Sequence, residues 1–513
     1  MNTRIGKQAA PSTLPTPQTS TPLCHLSRPS GIAFRPSLNP APRPTVIYNR
    51  ALSILNINSA FPKKSRTPGA VLHSDRIVRT AAIPTSLVAL SLVLAGCGSN
   101  YRPVISSINP VGPAGQPTKY VVAVSSTGAS TPGIATMVDF AGDTVLITAL
   151  IGDNPQFLQL DTTGSDAYTL NGDGTINSFG LSTSLIQSQV NQSTLPAGSN
   201  PTSITSQGAS LYITQSGLNS VAQLQGIPPA IKQELPTGAN TVYTVAAPST
   251  VRAYALVQSG ASAGHVSPIE TGTQTLDNPI PVGVAPIYGV MTADTRRAFI
   301  LNQGSNTVSV INVQKNALDS AAYSTTGTIP VGVAPVWADL APTLNELVVA
   351  NQGNGTTPGS VSIISIPLCT ATTVVSNPNC DVNNPVDATG FGQVTATIPV
   401  GINPQQVAVL QDGSYAFVSN AGNATDAGSV SVINLATNTV VATIPAANTT
   451  DPADSFIHGH PGFIAATTGT PTGKVYVTAP DSHDLTIIRT DTDAVLTHVS
   501  LQGNGVMVRV NQP

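Results

Sequence analysis

Residues 403–444 read NPQQVAVLQDGSYAFVSNAGNATDAGSVSVINLATNTVVATI and set the pattern for most of the chain. The stretch holds four short runs rich in Val, Ile, Tyr and Phe, at 405–410, 415–420, 429–435 and 439–445. Such runs, separated by Gly, Asp and Asn, are typical of β-strands joined by turns. Asp412-Gly413 favours a tight hairpin, because Gly tolerates the positive φ that such turns require. The stretch therefore predicts four consecutive antiparallel strands.

Eight copies of this unit align on their second strand. The matching segments are YVVAV (120–124), YTLN (168–171), LYITQ (211–215), YALV (254–257), FILN (299–302), LVVAN (347–351), FVSN (417–420) and VYVTA (475–479). Most copies lie about 42–49 residues apart, and two gaps are longer. Four-stranded units at this period are typical of a β-propeller, in which each small sheet packs against its neighbours. We predict an all-β chain of eight antiparallel blades, or seven if a degenerate copy around Ile204 or Tyr243 is not a blade.

The two ends of the repeat region predict how the ring closes. The first copy begins at its second strand, and the chain finishes with GVMVRV (505–510), where an inner strand is expected after the last outer one. We expect this C-terminal strand to complete the first blade in a 3+1 closure. Such a closure removes the unpaired sheet edges that would otherwise template aggregation.

Three copies carry a more specific signature. They read IPVGVAP (280–286) with AFILNQGSNTVSVINV (298–313), TIPVGVAP (328–335) with LVVANQG (347–353), and TIPVGINP (397–404) with AFVSNAG (416–422). These segments resemble the YVTN-family β-propeller repeat of bacterial surface proteins, and the resemblance covers about residues 116–510. It implies a secreted or surface-attached propeller and says little about activity, because one fold hosts many functions.

The segment RIVRTAAIPTSLVALSLVLAGC (76–97) resembles a bacterial lipoprotein signal peptide. Two arginines precede a short apolar run, and the segment ends in LAGC, which makes Cys97 the lipidated N-terminus of the mature protein. The apolar run is too short for a membrane span. We interpret residues 98–115 as a tether and 116–513 as the propeller. Gly98 is not an acidic residue, which favours the outer membrane or cell surface over the inner membrane.

Residues 1–75 differ in composition from the rest of the chain. A signal peptide is expected at a true N-terminus, so we interpret 1–75 as a mis-assigned extension, with translation starting near Val71, or else as a disordered basic arm. Residues 1–97 hold 11 basic residues and 1 acidic residue, whereas 98–513 hold 10 basic and 23 acidic. A net charge of −13 after the signal repels phosphate, so nucleic acid is not an expected partner.

Cys369 and Cys380 lie in one long connection, PLCTATTVVSNPNCDVNNP (367–385). Because an exported chain meets an oxidising compartment, we predict that they form a disulfide. A metal site is the weaker interpretation, since two thiols lack the further ligands that zinc needs.

Polar residues suited to binding are concentrated in two loops near the C-terminus. Three of the five histidines after Cys97 occur there, and propeller topology brings both loops to one rim. The candidate rim residues are Asp454, His458 and His460 in the first loop and Asp481, His483 and Asp484 in the second. Such a set could hold a divalent metal or a substrate, but polar loop residues without a ligand are the favoured interpretation.

Aromatic residues recur two positions after the proline that opens each inner strand. They are Phe157, Tyr288, Trp337 and Phe463, with Tyr243 and Met507 at the aligned sites and Ser203 and Gln406 as exceptions. They could line the channel mouth as a stacking surface for a planar or carbohydrate ligand, although packing between blades is favoured.

Several enzyme classes are not supported by the sequence. There is no nucleophile elbow, P-loop, dinucleotide fingerprint or Cys-x-x-Cys-His haem motif in context, and one Trp is too few for quinoprotein blades. We therefore expect no catalytic residue and no cofactor. The sequence favours a lipid-anchored binding or scaffold module for a protein or surface ligand. The alternative is a metal- or cofactor-dependent oxidoreductase or lactonase-like hydrolase with its site at the channel mouth.

Overall fold

A computed structural model describes residues 119–182, 185, 187–319, 327–367, 390–447, 455–467 and 473–511. All of these residues belong to one unit, Ile105–Pro513. They form eight β-sheets and one short 3₁₀-helix, Gln187–Gln189. Within these ranges no helix has the length and apolar character needed to cross a membrane.

The first four blades are built from sixteen strands in chain order. Blade one has β1 (Tyr120–Ser126), β2 (Pro132–Asp139) and β3 (Val145–Asp153), and blade two has β4 (Pro155–Leu160), β5 (Asp166–Asn171), β6 (Thr175–Gly180) and β7 (Asn191–Thr194). Blade three has β8 (Pro201–Gln207), β9 (Ser210–Gln215), β10 (Ser220–Gln225) and β11 (Ala230–Leu235). Blade four has β12 (Thr241–Val245), β13 (Arg252–Ser259), β14 (Ser262–Glu270), β15 (Thr275–Leu276) and β16 (Ile280–Val284).

The other four blades follow the same order. Blade five has β17 (Pro286–Met291), β18 (Arg297–Asn302), β19 (Thr307–Asn312), β20 (Ala317–Leu318) and β21 (Thr328–Pro330), and blade six has β22 (Pro335–Ala341), β23 (Glu346–Asn351), β24 (Pro358–Ser365) and β25 (Val394–Ile402). Blade seven has β26 (Pro404–Val409), β27 (Tyr415–Asn420), β28 (Ser429–Asn434), β29 (Thr439–Ala447) and β30 (Ile457–His458). Blade eight has β31 (Ile464–Ala466), β32 (Lys474–Thr478), β33 (Asp484–Arg489) and β34 (Ala494–Ser500), and β35 (Asn504–Val510) ends the chain's strands.

The pairing of these strands confirms the predicted eight-bladed propeller. β35 pairs antiparallel with β1, with Val508 opposite Ala123, and completes the first sheet in the order β3-β2-β1-β35. The degenerate copies around Ile204 and Tyr243 are true blades. In blades four and five the outer strand is interrupted, so that β15 and β16 both pair with β14, and β20 and β21 both pair with β19.

The antiparallel order sorts the connections onto two faces of the ring. We call the face with the outer-to-inner and second-to-third connections the upper face, and the opposite one the lower face. Buried Val, Ile, Leu and aromatic side chains form clusters that extend over neighbouring blades. Burial of apolar surface is the main favourable term in such packing, so each blade is stabilised by the next.

An Asn–Gly contact joins successive blades where the repeat is most regular. Asn420 ends β27, is fully buried, and donates to the hydroxyls of Ser429 and Ser431 at 3.2 and 3.0 Å. Gly401 of the preceding blade lies so close that a Cβ there would be 2.8 Å from Asn420. The same contact occurs for Gly152 with Asn171, Gly283 with Asn302, and Gly332 with Asn351.

The junction that closes the ring is built differently. Lys474 at the start of β32 donates to both carboxylate oxygens of Asp143 and to the carbonyl of Phe140, each at 2.7 Å. The Lys474 ammonium also lies 5.0 Å from the centre of the Phe140 ring. An ion pair on the lower face therefore connects blade eight with blade one.

Candidate functional site

A repeated backbone feature aims the aromatic side chains of the inner strands. The residue before the opening proline has positive φ in several blades, for example Ala334 (54°) and Asn403 (58°). A β-bulge follows, so that Pro335 lies opposite Asn351 but Trp337 lies opposite Ala350. A β-bulge changes the direction of the side chain that follows it. The side chain of the third residue in each such strand therefore departs from the direction that a regular pleat would give it.

Four of these aromatic side chains form a continuous series across blades four, five, six and eight. The Tyr243 and Tyr288 ring centres are 5.0 Å apart, and Tyr288 stacks on Trp337 at 3.9 Å with an interplanar angle of 21°. Trp337 then meets Phe463 edge-on at 5.6 Å, although blade seven lies between them in sequence. Phe157 is buried in a core cluster with Met507, against which Tyr243 and Phe463 also pack. The structure thus brings four of the five candidate aromatics together.

A cavity of about 550 Å³ opens above this series on the upper face. Trp337 and Phe463 line it together with Ile287, Val336 and Val506 and with the amides of Gln303, Gln352, Gln405 and Gln406. Gln405 bonds to Asn403, and Gln406 accepts from the Ile464 amide at 2.8 Å. The Gln303 and Gln352 side chains make no hydrogen bond to other described residues. We call this cavity the mouth cavity.

A second cavity of about 280 Å³ lies deeper in the channel. Trp337 and Gln406 line both cavities, and Arg509 and Asp339 line only the deeper one. We call it the inner cavity. The Arg509 guanidinium carbon lies 5.9 Å from the centre of the Phe463 ring. The channel therefore passes from an uncharged mouth to a charged interior.

The electrostatics of the inner cavity are set by exclusion of solvent. Desolvation raises the pKa of Asp339 to about 6, although the amides of Val409 and Leu340 each donate to its carboxylate at 2.8 Å. Desolvation lowers the pKa of Arg509, and electrostatic attraction to the Asp339 carboxylate opposes that shift. Burial raises the pKa of Tyr288 well above its ordinary value.

The candidate rim residues separate into pairs. His460 Nδ1 donates to the Asp481 carboxylate at 2.6 Å, and the His460 backbone amide donates to the same carboxylate at 2.8 Å. Partial burial raises the pKa of Asp481, but the bonds from His460 outweigh it and leave that pKa below its usual value. His458 Nδ1 bonds to Asp484 at 2.8 Å, and its ring stacks on His498 at 3.7 Å.

His483 lies apart from both pairs, in a cavity of about 430 Å³ between blades eight and one. Thr127, Asn154 and Asn504 are among the other residues that line it. In the described ranges no group of three or more His, Cys, Asp or Glu side chains is arranged to hold a metal ion. Asp454, Cys97, Cys369 and Cys380 lie outside the described residues.

Sequence reasoning missed the charged residues of the channel. The eight inner strands carry two charged side chains in all, Asp339 and Arg509. Each occupies the second position after the aligned aromatic site, where other inner strands have Val, Ala, Thr or Gln. Alignment of the inner strands, as well as of the second strands, would have singled them out. His498, on which the ring of His458 stacks, was also missed as a site residue.

Comparisons with known proteins support the fold. No protein-family model matches the chain, and no curated protein is similar to it in sequence. The structure of apo AztD from Citrobacter koseri is similar with a TM-score of 0.50 at 12% identity, over 76% of this chain and 97% of that one. Dihydro-heme d1 dehydrogenase NirN, in complex with DHE, is similar with a TM-score of 0.54 at 13% identity, over 78% of this chain and 77% of that one. These similarities, together with the strand pairing, define the protein as an eight-bladed β-propeller.

Proposed function

We propose that this protein is an exported, lipid-anchored binding module of the cell envelope that takes its ligand at the mouth cavity. The lipoprotein-like signal ending at Cys97 and the resemblance to YVTN repeats support export and attachment to a membrane, with the outer membrane or cell surface favoured. Loss of palmitate labelling in Cys97→Ser would test the anchor, and retained labelling would contradict it.

The mouth cavity is the observation that carries the binding proposal. Trp337 and Phe463 offer aromatic surface there, and the amides of Gln303 and Gln352 have no hydrogen-bond partner among the described residues. Binding sites for small molecules are typically concave, largely apolar and supplied with a few oriented polar groups. A planar or hydroxyl-bearing ligand, either free or displayed on a protein or surface partner, fits this combination.

The topology supports an outward position for this cavity. The described chain enters the propeller at Lys119, where β1 begins at the lower face. A tether from Cys97 would therefore reach the lower face, and the mouth cavity on the upper face would point away from the membrane.

The single tryptophan of the chain allows a direct test. Titration of the purified protein with 2-naphthamide, a planar and uncharged probe, should change Trp337 emission and give saturable heat in calorimetry. Phe463→Ala should weaken binding about three- to tenfold, because one aromatic contact is lost. Val251→Ser, at an exposed apolar position, is the control and should leave the affinity unchanged. Saturable binding that leaves Trp337 emission unaltered would contradict the proposed location, and so would the absence of binding.

An enzyme that depends on a metal or cofactor is the second candidate function. The specific observation for it is the His460–Asp481 pair, because a carboxylate that fixes one imidazole nitrogen orients the other toward a ligand. The propeller of NirN belongs to a dehydrogenase, which is compatible with this alternative without favouring it.

Metal content separates the two functions. Elemental mass spectrometry of the purified wild type should find no stoichiometric metal if the protein is a binding module. Near-stoichiometric metal that disappears in His458→Ala/His460→Ala would instead establish the rim as a metal site and favour the enzyme.

A further inference from the structure

The inner cavity contains a cation that is not paired by any other residue in the described part of the chain. The Arg509 side chain makes no hydrogen bond or ion pair with any other described residue, and its guanidinium carbon lies 5.9 Å from the centre of the Phe463 ring. A guanidinium has five N–H donors and stays charged in proteins. Transfer of such a group out of bulk water is unfavourable unless it is paired. An acceptor from outside the chain would therefore be stabilised at this point.

Asp339 does not take the place of that acceptor. Both of its carboxylate oxygens already accept backbone hydrogen bonds, from Leu340 and Val409. Asp339 and Arg509 are not within ion-pair distance, although they attract each other electrostatically. Asp339 does limit the positive charge of the cavity, so a singly charged anion fits better than a dianion such as phosphate.

The two cavities meet along one aromatic surface. Trp337 and Gln406 line both of them. Phe463 lines the mouth cavity, and its ring also lies next to the guanidinium of Arg509. A flat molecule that stacks in the mouth cavity can therefore extend one end toward Arg509. The guanidinium fork matches the geometry of a carboxylate, which can accept two parallel hydrogen bonds from it.

We propose that Arg509 forms an anion subsite within the channel and that the ligand of the mouth cavity is a planar, aromatic or conjugated molecule bearing a carboxylate. This inference rests on the proposed binding function and narrows its ligand class. The mouth cavity selects the flat body of the ligand, and Arg509 selects its charged end.

Two probes of the same shape test the subsite. 2-Naphthoate carries a carboxylate where 2-naphthamide carries an uncharged amide. In calorimetric titrations of the wild-type protein, 2-naphthoate should bind about tenfold more tightly or better, as expected for a hydrogen bond between charged groups. Arg509→Gln should remove this preference while 2-naphthamide binds as before. Arg509→Lys keeps the charge but not the fork and should retain part of the preference.

The control and the contradicting outcomes separate this inference from the proposed function. Arg489→Gln removes an arginine on the surface and should leave the preference intact. Equal binding of both probes by the wild type, with Trp337 emission altered, would overturn the anion subsite and leave the mouth cavity as a binding site. A preference that survives in both Arg509 variants would overturn it too. Failure of both probes to bind would count against the proposed function itself.

Discussion

The blade junctions and the channel that they enclose use polar residues in opposite ways. At the junction of blades six and seven, Asn420 is fully buried, its Nδ2 donates to Ser429 and Ser431, and its side chain fills the space left by Gly401, although its Oδ1 has no partner among the described residues. In the channel, Arg509 lines a cavity and has no hydrogen-bonding partner among the described residues.

This difference indicates which residues serve the fold and which are available to a ligand. A buried amide whose donors are bonded contributes to a specific packing arrangement, whereas a buried cation left unbonded costs stability. Substitutions at the junctions should therefore lower stability and spare binding. Substitutions in the channel should change binding and spare stability.

The largest loss of stability is expected for substitutions at the junction of blades eight and one, which closes the ring. Lys474→Met would leave the Asp143 carboxylate, whose side chain is 13% exposed, without its cation. Removing one partner of a buried ion pair lowers the free energy of unfolding by about 3–5 kcal/mol. Because this pair is partly exposed, we expect a loss of roughly 2–4 kcal/mol. Chemical denaturation of the variant measures the loss.

A double-mutant cycle supplies the control for this pair. Asp143→Asn/Lys474→Met removes both charges and should recover part of the lost stability, because no buried charge is left unpaired. If the double variant is as unstable as the sum of the single ones, the two residues do not act as a pair.

The second-largest loss of stability is expected at the blade junctions that have the Asn–Gly contact. Gly401→Ala would place a Cβ 2.8 Å from the Cβ of Asn420, a residue whose bonds prevent it from moving aside. Overpacking of this kind costs about 1–3 kcal/mol, visible as a lower midpoint in thermal unfolding. Gly272→Ala is the matched control, because a Cβ there has no atom within 4 Å, and it should be neutral. Equal stability of the two variants would contradict the Asn–Gly contact.

The same contrast explains how much could be predicted from the sequence. Alignment of the eight second strands predicted eight blades, with seven as the alternative, and the missing inner strand of the first copy predicted the closure by β35. Both depend on strand pairing, which repeats with the sequence. The channel depends on side chains from different blades that meet only in the closed ring, so neither the Trp337–Phe463 contact nor the approach of Arg509 to Phe463 follows from a single repeat. The same limit on prediction applies to the rim residues, because His458 stacks on His498, which lies in a different strand.

A smaller effect on stability is expected inside the channel. Arg509→Met replaces a half-buried cation, which has no ion-pair partner among the described residues, by an apolar side chain of similar length. Such replacements are often neutral or stabilising, so the thermal midpoint should stay the same or rise. The measurement is the unfolding curve beside that of Lys474→Met. A loss as large as that of Lys474→Met would show that Arg509 supports the fold, and the contrast between junctions and channel would fail.

The smallest effect is a pH dependence of anion binding, and it follows from Asp339. Its pKa is about 6 because the channel excludes solvent, so the carboxylate is mostly ionised at pH 7.5 and mostly protonated at pH 5. Protonation removes the negative charge that opposes an anion at Arg509, while a ligand carboxylate with a pKa near 4 remains ionised. The affinity for 2-naphthoate should therefore rise by roughly two- to fivefold as the pH falls through 6, an electrostatic difference of about 0.5–1 kcal/mol.

Two comparisons isolate the source of that change. Tyr243 and Tyr288, which also face Arg509, have raised pKa values and stay protonated throughout this range. Asp339→Asn should consequently bind 2-naphthoate with the same affinity at pH 7.5 and pH 5, and 2-naphthamide should show no change in the wild type. An affinity for 2-naphthoate that falls on acidification would mean that Asp339 assists the anion instead of opposing it, for example by holding the Arg509 side chain in place.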